Sequence, residues 1–234
     1  MPLFTILTLF PEAVESYLDV GVLGIAVRKG TIRVRAVDLR DFTRDRHRTT
    51  DDRPYGGGPG MVLRPEPVAE AVEWIEREHG PHRRFVMDPA GRPFAQADAR
   101  DLARPDERVL LLAGRYEGID ARVLEQFAFE PLTVGDFVLA GGELPALCVL
   151  EAAARLVPGV LGDARSAEQD SFTEASTLDH PHYTRPRVFR GDAVPEVLMS
   201  GDHAAIESWR EEQARARAAR WRPDLGARAG EHAP

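Results

Sequence analysis

Up to about residue 160, short runs of apolar and β-branched residues alternate with longer segments of helical character. The runs typical of buried strands are residues 3–9, 31–39, 84–87, 108–113 and 131–134. The helical segments are residues 11–27, 65–80, 94–103, 121–127 and 144–156. Strands that alternate with helices indicate a parallel sheet with helices on both faces. We therefore predict an α/β domain over residues 1–160.

The rest of the chain does not follow this pattern. Residues 161–185 are polar and poorly periodic, and we predict a flexible linker or lid there. Residues 186–234 are predicted to form a smaller helical domain, in which Asp202 caps a helix that carries Ile206 and Trp209 on one face. That helix also carries arginines that suit either a solvated face or a nucleic-acid contact: Arg210, Arg215, Arg217 and Arg220.

Composition excludes several classes of protein. The single cysteine, Cys148, rules out an internal disulfide and argues against a cysteine-based zinc site. No apolar run approaches the length of a membrane span, and the first residues lack the basic region of a signal peptide, so we expect a cytoplasmic protein. The net charge of −8 does not by itself indicate a nucleic-acid binder.

Three loops that follow predicted strands indicate a ligand site. They are Asp88–Gly91, Gly114–Gly118 and Ala140–Pro145. In parallel α/β sheets ligands bind outside the carboxyl ends of the strands, so we expect the three loops to converge. The pair Gly141-Gly142 suits a turn at positive φ and a close approach of ligand to backbone. A simple strand–turn–helix corner is the alternative interpretation of that pair.

Other polar groups are ambiguous when each is considered alone. The Arg- and Asp-rich segment 40–53 and the glycine-rich residues 55–60 suit a salt-bridged surface loop or a phosphate site, but they lack the P-loop pattern. His180 and His182 have no carboxylate or cysteine partner at a familiar spacing, so we predict no metal site. Asp170 alone is an ordinary loop carboxylate.

Taken together, a series of longer motifs resembles the bacterial tRNA (guanine-N1)-methyltransferase family, TrmD, of the SPOUT superfamily. The resemblance covers nearly the whole chain and keeps the order of the family's motifs. These motifs are Asp41-Phe42-Thr43, Asp45-Arg46-His47-Arg48-Thr49, Asp51-Asp52-Arg53-Pro54-Tyr55-Gly56-Gly57-Gly58-Pro59-Gly60-Met61, Gly114-Arg115-Tyr116-Glu117-Gly118-Ile119-Asp120, Gly135-Asp136, Gly141-Gly142-Glu143-Leu144-Pro145, Pro158-Gly159-Val160-Leu161-Gly162, Asp170-Ser171-Phe172 and Pro181-His182-Tyr183-Thr184-Arg185-Pro186.

The resemblance implies a fold, an activity and partners. It implies a trefoil knot that holds S-adenosylmethionine in a bent shape, and a small C-terminal domain that binds tRNA. It implies methylation of N1 of the guanine immediately 3′ of the anticodon, which maintains the reading frame. It also implies a homodimer whose sites use both subunits. From the chemistry alone, a Mg²⁺ ion is a candidate aid to the chemical step.

The same resemblance implies roles for individual residues. Asp170 matches the general base, and Arg155 matches the arginine that steadies the guanine. Three positions depart from the family pattern: Phe137 stands in place of Tyr, Ala140 in place of Ser and Asp88 in place of a small polar residue. The implied cofactor pocket consists of Met87, Asp88, Pro89, Gly114, Tyr116, Glu117, Val134, Gly135, Phe137, Leu139, Gly141, Gly142 and Pro145.

Two other function classes remain open at the level of sequence. A phosphate-ester hydrolase would use the Arg- and Asp-rich loop with a divalent ion, and it would need a carboxylate cluster that binds the metal. A non-catalytic RNA-binding module would need neither the paired glycines nor a carboxylate opposite them.

Overall fold

The computed structural model describes residues 1–162, 170–172 and 178–225. The chain divides into two compact units, Met1–Gly162 and Asp163–Pro234. The strands of the first unit are β1 (Leu3–Thr8), β2 (Arg33–Asp38), β3 (Asp51–Asp52), β4 (Val62–Leu63), β5 (Arg83–Pro93), β6 (Arg108–Leu112) and β7 (Glu130–Thr133). Its helices are α1 (Pro11–Leu18), α2 (Gly21–Arg28), α3 (Pro65–His79), α4 (Gln96–Leu102), α5 (Ala121–Gln126) and α6 (Glu143–Ala154), with a 3-10 helix at Leu39–Phe42.

Five parallel strands form the central sheet in the order β2-β1-β6-β5-β7. Successive side chains of a strand point to opposite faces, and both faces of this sheet are apolar. Phe4 and Ile6 of β1 pack in one core cluster with α1, α2, α4 and α6, whereas Leu7 packs in the other with α3 and α5. The predicted α/β fold with helices on both faces is therefore confirmed.

The predicted single helix over residues 11–27 is wrong. The chain forms α1 and α2, separated at Asp19 and Val20. Gly21 has a φ of +62°, which a continuous helix of L-residues does not accommodate. Gly24 then packs so close to Leu18 and Asp19 that a Cβ there would lie 2.8 Å from backbone atoms.

The predicted end of a strand at Met87 is also wrong. β5 continues to Pro93, and both Met87 and Arg92 pair with Leu132 of β7. The Asp88–Gly91 segment is thus a bulge inside one strand, although its Asp-Pro-Ala-Gly composition is typical of a turn. The side chain of Asp88 accepts a hydrogen bond from the backbone N–H of Ala90 (2.8 Å), which stabilises the bulge.

The second unit contains the predicted C-terminal helix, α7 (His203–Trp221), and the predicted cap. Asp202 accepts hydrogen bonds from the backbone N–H groups of Ala204 (3.0 Å) and Ala205 (3.1 Å). A short antiparallel ribbon of β8 (Val188–Phe189) and β9 (Asp192–Ala193), which was not predicted, precedes it. Within the predicted lid, residues 163–169 and 173–177 lie outside the described residues.

Among the helices of the described ranges, none combines the length and apolar composition needed to cross a membrane.

Candidate functional site

A cavity of about 270 Å³ lies at the bulge of β5 and at the carboxyl ends of β6 and β7. The three glycine-bearing segments that the sequence singles out all reach it, so their predicted convergence is confirmed. Its lining residues are Val86, Met87, Asp88, Pro89, Gly114, Arg115, Tyr116, Glu117, Gly118, Ile119, Leu132, Thr133, Val134, Phe137, Val138, Leu139, Ala140, Gly141, Gly142 and Pro145.

The residues proposed for the pocket lie at this cavity, with one exception. Gly135 does not line it. Thr133 Oγ1 donates to the carbonyl of Gly135 (2.8 Å), and a Cβ at Gly135 would approach the ring of Phe137, with Cδ1 at 3.1 Å. Gly135 therefore gives Phe137 room on the rim of the cavity, which is an indirect role.

The rim between Phe137 and Leu139 is an exposed loop. The sequence shows a short apolar run there, but no strand forms, and Val138 is 83% exposed. Phe137, Leu139 and Tyr116 are also exposed beside the cavity. Tyr116 has a φ of +61°, a conformation uncommon for a residue other than glycine and frequent at functional sites. A ligand in the cavity would cover this apolar surface.

The positive φ predicted for Gly141-Gly142 is wrong, and the close approach of a ligand to their backbone stays a prediction. Neither glycine lies in the left-handed region, and Gly142 has a φ of −83°. What requires both glycines is close approach by other protein atoms. A Cβ at Gly142 would lie 2.7 Å from Cα of Ala113 and 2.8 Å from the backbone nitrogen of Gly114. A Cβ at Gly141 would collide with the side chain of Arg115.

Arg115 and Glu143 form an ion pair that the sequence analysis missed. Arg115 Nη2 lies 2.9 Å and Nε 3.0 Å from Glu143 Oε2. Glu143 is only 4% exposed and also accepts a hydrogen bond from Thr8 Oγ1 (2.7 Å). The available signal was a carboxylate directly after Gly-Gly, at the start of a helix that is otherwise almost entirely apolar.

Of the two residues proposed for catalysis, Arg155 does not line the cavity. Arg155 follows the last residue of α6, whereas the paired glycines precede its first residue. The 12 residues of α6 span about 18 Å at 1.5 Å per residue, so Arg155 lies far from the glycines of its own chain. Asp170 belongs to the second unit, where it is half-buried.

The histidines of the second unit have a carboxylate partner that the sequence analysis did not identify. Asp179 Oδ2 and His182 Nε2 are 2.8 Å apart, and the ligand-type atoms of Asp179, His180 and His182 lie within 4.8 Å of one another. Burial acts to raise the pKa of Asp179, but the hydrogen bonds from the His182 side chain and the His180 backbone N–H, together with the nearby imidazoles, lower the pKa overall. A hydrogen-bonded Asp–His pair explains this arrangement, and the absence of a metal site stays a prediction.

The Arg- and Asp-rich segment forms a salt-bridged loop. Arg48 pairs with Asp41, and Arg44 pairs with Glu70 of α3 at 2.7 Å. Asp45 accepts hydrogen bonds from the backbone N–H groups of His47 and Thr49, and the Thr49 contact lowers the pKa of Asp45. This supports the interpretation as a surface loop and leaves its phosphate-site alternative untested.

Apolar side chains are exposed on α1, on the two helices that it contacts, α2 and α6, and at Val20 between α1 and α2. We call this set the α1–α2–α6 face, and it consists of Tyr17, Val20, Val22, Ile25, Leu144 and Cys148. The nearby Glu151 carboxylate raises the pKa of Tyr17, which ties α1 to α6 at this face.

Together, the fold and the cavity define a class: an α/β protein with a cavity at one edge of a parallel sheet. Comparison with known proteins identifies the family. Residues 3–228 match the family described as tRNA (Guanine-1)-methyltransferase TrmD. The chain belongs to this family.

Individual relatives agree with the family match. A Thermus thermophilus protein named tRNA (guanine-N(1)-)-methyltransferase is 53% identical over 226 residues, which is 97% of this chain and 92% of that protein. Proteins of the same name from Oleidesulfovibrio alaskensis and Nitratidesulfovibrio vulgaris are 53% and 52% identical over 90% and 94% of this chain. The chain spans 48% and 51% of these two relatives, about half of their length.

Proposed function

We propose that this protein is an S-adenosylmethionine-dependent tRNA methyltransferase. The reaction is transfer of a methyl group to N1 of the guanine immediately 3′ of the anticodon, which maintains the reading frame. The observation that carries the proposal is the convergence of three glycine-bearing segments on one cavity in a chain of this family. We further propose that the protein acts in the cytoplasm.

The cavity fits S-adenosylmethionine as the methyl donor. Its volume of about 270 Å³ is close to the lower end of the roughly 300–1,000 Å³ of small-molecule sites. Tyr116, Phe137 and Leu139 offer exposed apolar surface for an adenosine, and the backbone of Gly114 and Gly141 offers polar groups without side chains. The bound donor supplies an electrophilic methyl group, so the protein does not need a covalent intermediate.

The proposal includes the trefoil knot of the family. Two close approaches between backbone segments are compatible with it. Gly91 lies so close to Leu132 that a Cβ would be 2.5 Å from its carbonyl carbon, and Gly142 lies against Ala113 and Gly114 in the same way. The first approach lies in the β5 bulge that pairs with β7, and the second brings the Gly-Gly segment against the Ala113–Gly114 segment with no room for a side chain.

For the chemical step, the proposed base is Asp170. Guanine N1 carries a proton at neutral pH, and this proton must leave as the N1–methyl bond forms. A positioned carboxylate that accepts the proton contributes typically ~10²–10⁴-fold in rate. Arg155 near the guanine O6 would stabilise the negative charge that develops there. Dependence of the rate on Mg²⁺ is a separate prediction.

A homodimer with composite sites completes the proposal. The α1–α2–α6 face provides exposed apolar surface that a second copy would bury. Arg155 lies at the opposite end of α6 from the cavity of its own chain, which fits a site that takes Arg155 from one subunit and the glycines from the other.

Residues 186–234 are proposed to bind tRNA through the arginines of α7, with residues 161–185 as a lid.

The decisive experiment is methyl transfer from labelled S-adenosylmethionine to unmodified tRNA, with the product nucleoside mapped. We expect N1-methylguanosine beside the anticodon. A titration of S-adenosylmethionine, with competition by S-adenosylhomocysteine, separates the alternatives. A phosphate-ester hydrolase or a non-catalytic RNA-binding module would not bind S-adenosylmethionine specifically. Absence of specific S-adenosylmethionine binding would therefore refute the proposal.

A further inference from the structure

The Arg115–Glu143 ion pair lies at the wall of the cavity. Arg115 lines the cavity and its side chain is 28% exposed, whereas Glu143 lies behind it and does not line the cavity. The guanidinium also packs over the ring of Phe10, 4.5 Å from the ring centroid. The carboxylate of Glu143 and the ring of Phe10 thus hold the orientation of Arg115.

The ion pair also joins two segments of the cavity wall. Arg115 Nη1 donates to the carbonyl of Ala140 (3.3 Å), and the backbone N–H of Gly142 donates to the carbonyl of Gly114 (2.8 Å). Arg115 and Gly141 form an isolated antiparallel bridge. The Gly114–Gly118 loop and the rim that ends at Gly141 are therefore held in register by Arg115, whose position depends on Glu143.

The pair also determines the charge of the cavity. Three of the lining residues are charged: Asp88, Arg115 and Glu117. Glu143 compensates Arg115, so the two lining carboxylates leave the cavity with negative character. S-adenosylmethionine carries a positive sulfonium that S-adenosylhomocysteine lacks. A negative cavity stabilises the first ligand more than the second because opposite charges attract strongly at low effective dielectric.

We propose that Glu143 is a positioning residue that acts through Arg115. It holds the two loops of the cavity in register, and it cancels the guanidinium charge so that the cavity favours a cationic ligand. This inference rests on the proposed function, because it takes S-adenosylmethionine as the ligand of the cavity.

The test is the ratio of two dissociation constants, for S-adenosylmethionine and S-adenosylhomocysteine, measured by calorimetry. Glu143→Gln keeps the size of the side chain and an acceptor for Thr8, but it leaves the Arg115 charge uncompensated. We expect Glu143→Gln to weaken S-adenosylmethionine about tenfold more than S-adenosylhomocysteine, which corresponds to about 1.4 kcal/mol. The double variant Arg115→Gln with Glu143→Gln removes both charges and should restore the ratio, even where both affinities fall.

Glu76→Gln is the matched control. Glu76 forms a two-point ion pair with Arg84, at 2.8 and 2.7 Å, with side chains that are 21% and 24% exposed. Arg84 lies near the start of β5, at the end of the sheet away from the cavity. Glu76→Gln should lower the melting temperature without changing the ratio of dissociation constants.

Three outcomes distinguish the hypotheses. An unchanged ratio in Glu143→Gln, with a lower melting temperature, would show that the pair is only structural and would overturn the inference. If Glu143→Gln does not fold, Arg115→Gln replaces it: this variant leaves the negative charge of Glu143 uncompensated and should favour S-adenosylmethionine over S-adenosylhomocysteine further. An unchanged ratio of dissociation constants in Arg115→Gln also overturns the inference. Absence of S-adenosylmethionine binding to the parent protein would instead overturn the proposed function.

Discussion

The Gly141→Ala substitution tests why this cavity needs a glycine where the backbone has no unusual conformation. A Cβ at Gly141 would lie 2.5 Å from both Arg115 Cζ and Glu143 Oε2. A Cβ atom cannot lie this close to non-bonded atoms, so the guanidinium and the carboxylate must separate or the loop must shift. The substitution should therefore disrupt the ion pair, although it changes neither of the two charged residues.

The expected cost follows from the burial of the two partners. Hydrogen bonds to charged groups contribute about 1.5–3 kcal/mol, and loss of one partner of a buried pair costs about 3–5 kcal/mol. Glu143 is buried, but Arg115 is 28% exposed and can turn toward water, so we take about 2 kcal/mol, from the lower range. For a protein of this size, about 2 kcal/mol lowers the melting temperature by about 4–8 °C.

The assay is thermal unfolding of three alanine variants, with and without S-adenosylmethionine. Gly142→Ala should cost more than Gly141→Ala because its Cβ meets backbone atoms of Ala113 and Gly114, which cannot rotate aside. Gly162→Ala is the control, since a Cβ there meets nothing within 4 Å. A Gly141→Ala protein that melts within about 1 °C of the Gly162→Ala control would refute the reasoning.

Four further predictions concern catalysis, assembly and stability. In single-turnover methyl transfer, Asp170→Asn should keep S-adenosylmethionine binding and lose most of the chemical step. Arg155→Ala should lose rate more than cofactor affinity. A rate in Asp170→Asn like that of the parent protein would show that Asp170 is not the base. Mixing Gly142→Val with Asp170→Asn should restore activity in part of the heterodimers, whereas no recovery after verified subunit exchange would mean that each site is built from one chain. Burial lowers the pKa of His82, so the folded protein binds fewer protons than the unfolded chain near that pKa. The free energy of unfolding, measured in urea, should therefore fall as the pH drops below about 6.5. In His82→Gln the fall should be less steep. Asp202→Ala removes the cap of α7 and should destabilise the second unit by about 0.5–2 kcal/mol. Amide exchange in the first turn of α7 should become faster, and unchanged exchange would contradict the role of the cap.

Local sequence determined the elements and the edge of the sheet where the site lies. Residues 109–113 are apolar throughout because β6 is covered by helices on both faces, and that continuous run identifies a buried parallel strand. Once the strands are parallel, the segments that follow them must lie at the same edge. The cavity could therefore be located from the order of strands, helices and glycines alone.

Tertiary structure decided what the individual residues in those segments do. Asp88–Gly91 has the composition of a turn, but it is a bulge because Met87 and Arg92 both find the same partner, Leu132. The partner of Arg115 is Glu143, 28 residues later in the chain, and their meeting determines why position 141 must be glycine. Local patterns encode which side chains point toward a core. Contacts between residues distant in sequence depend on the packing of whole elements, and only the folded structure specifies that packing.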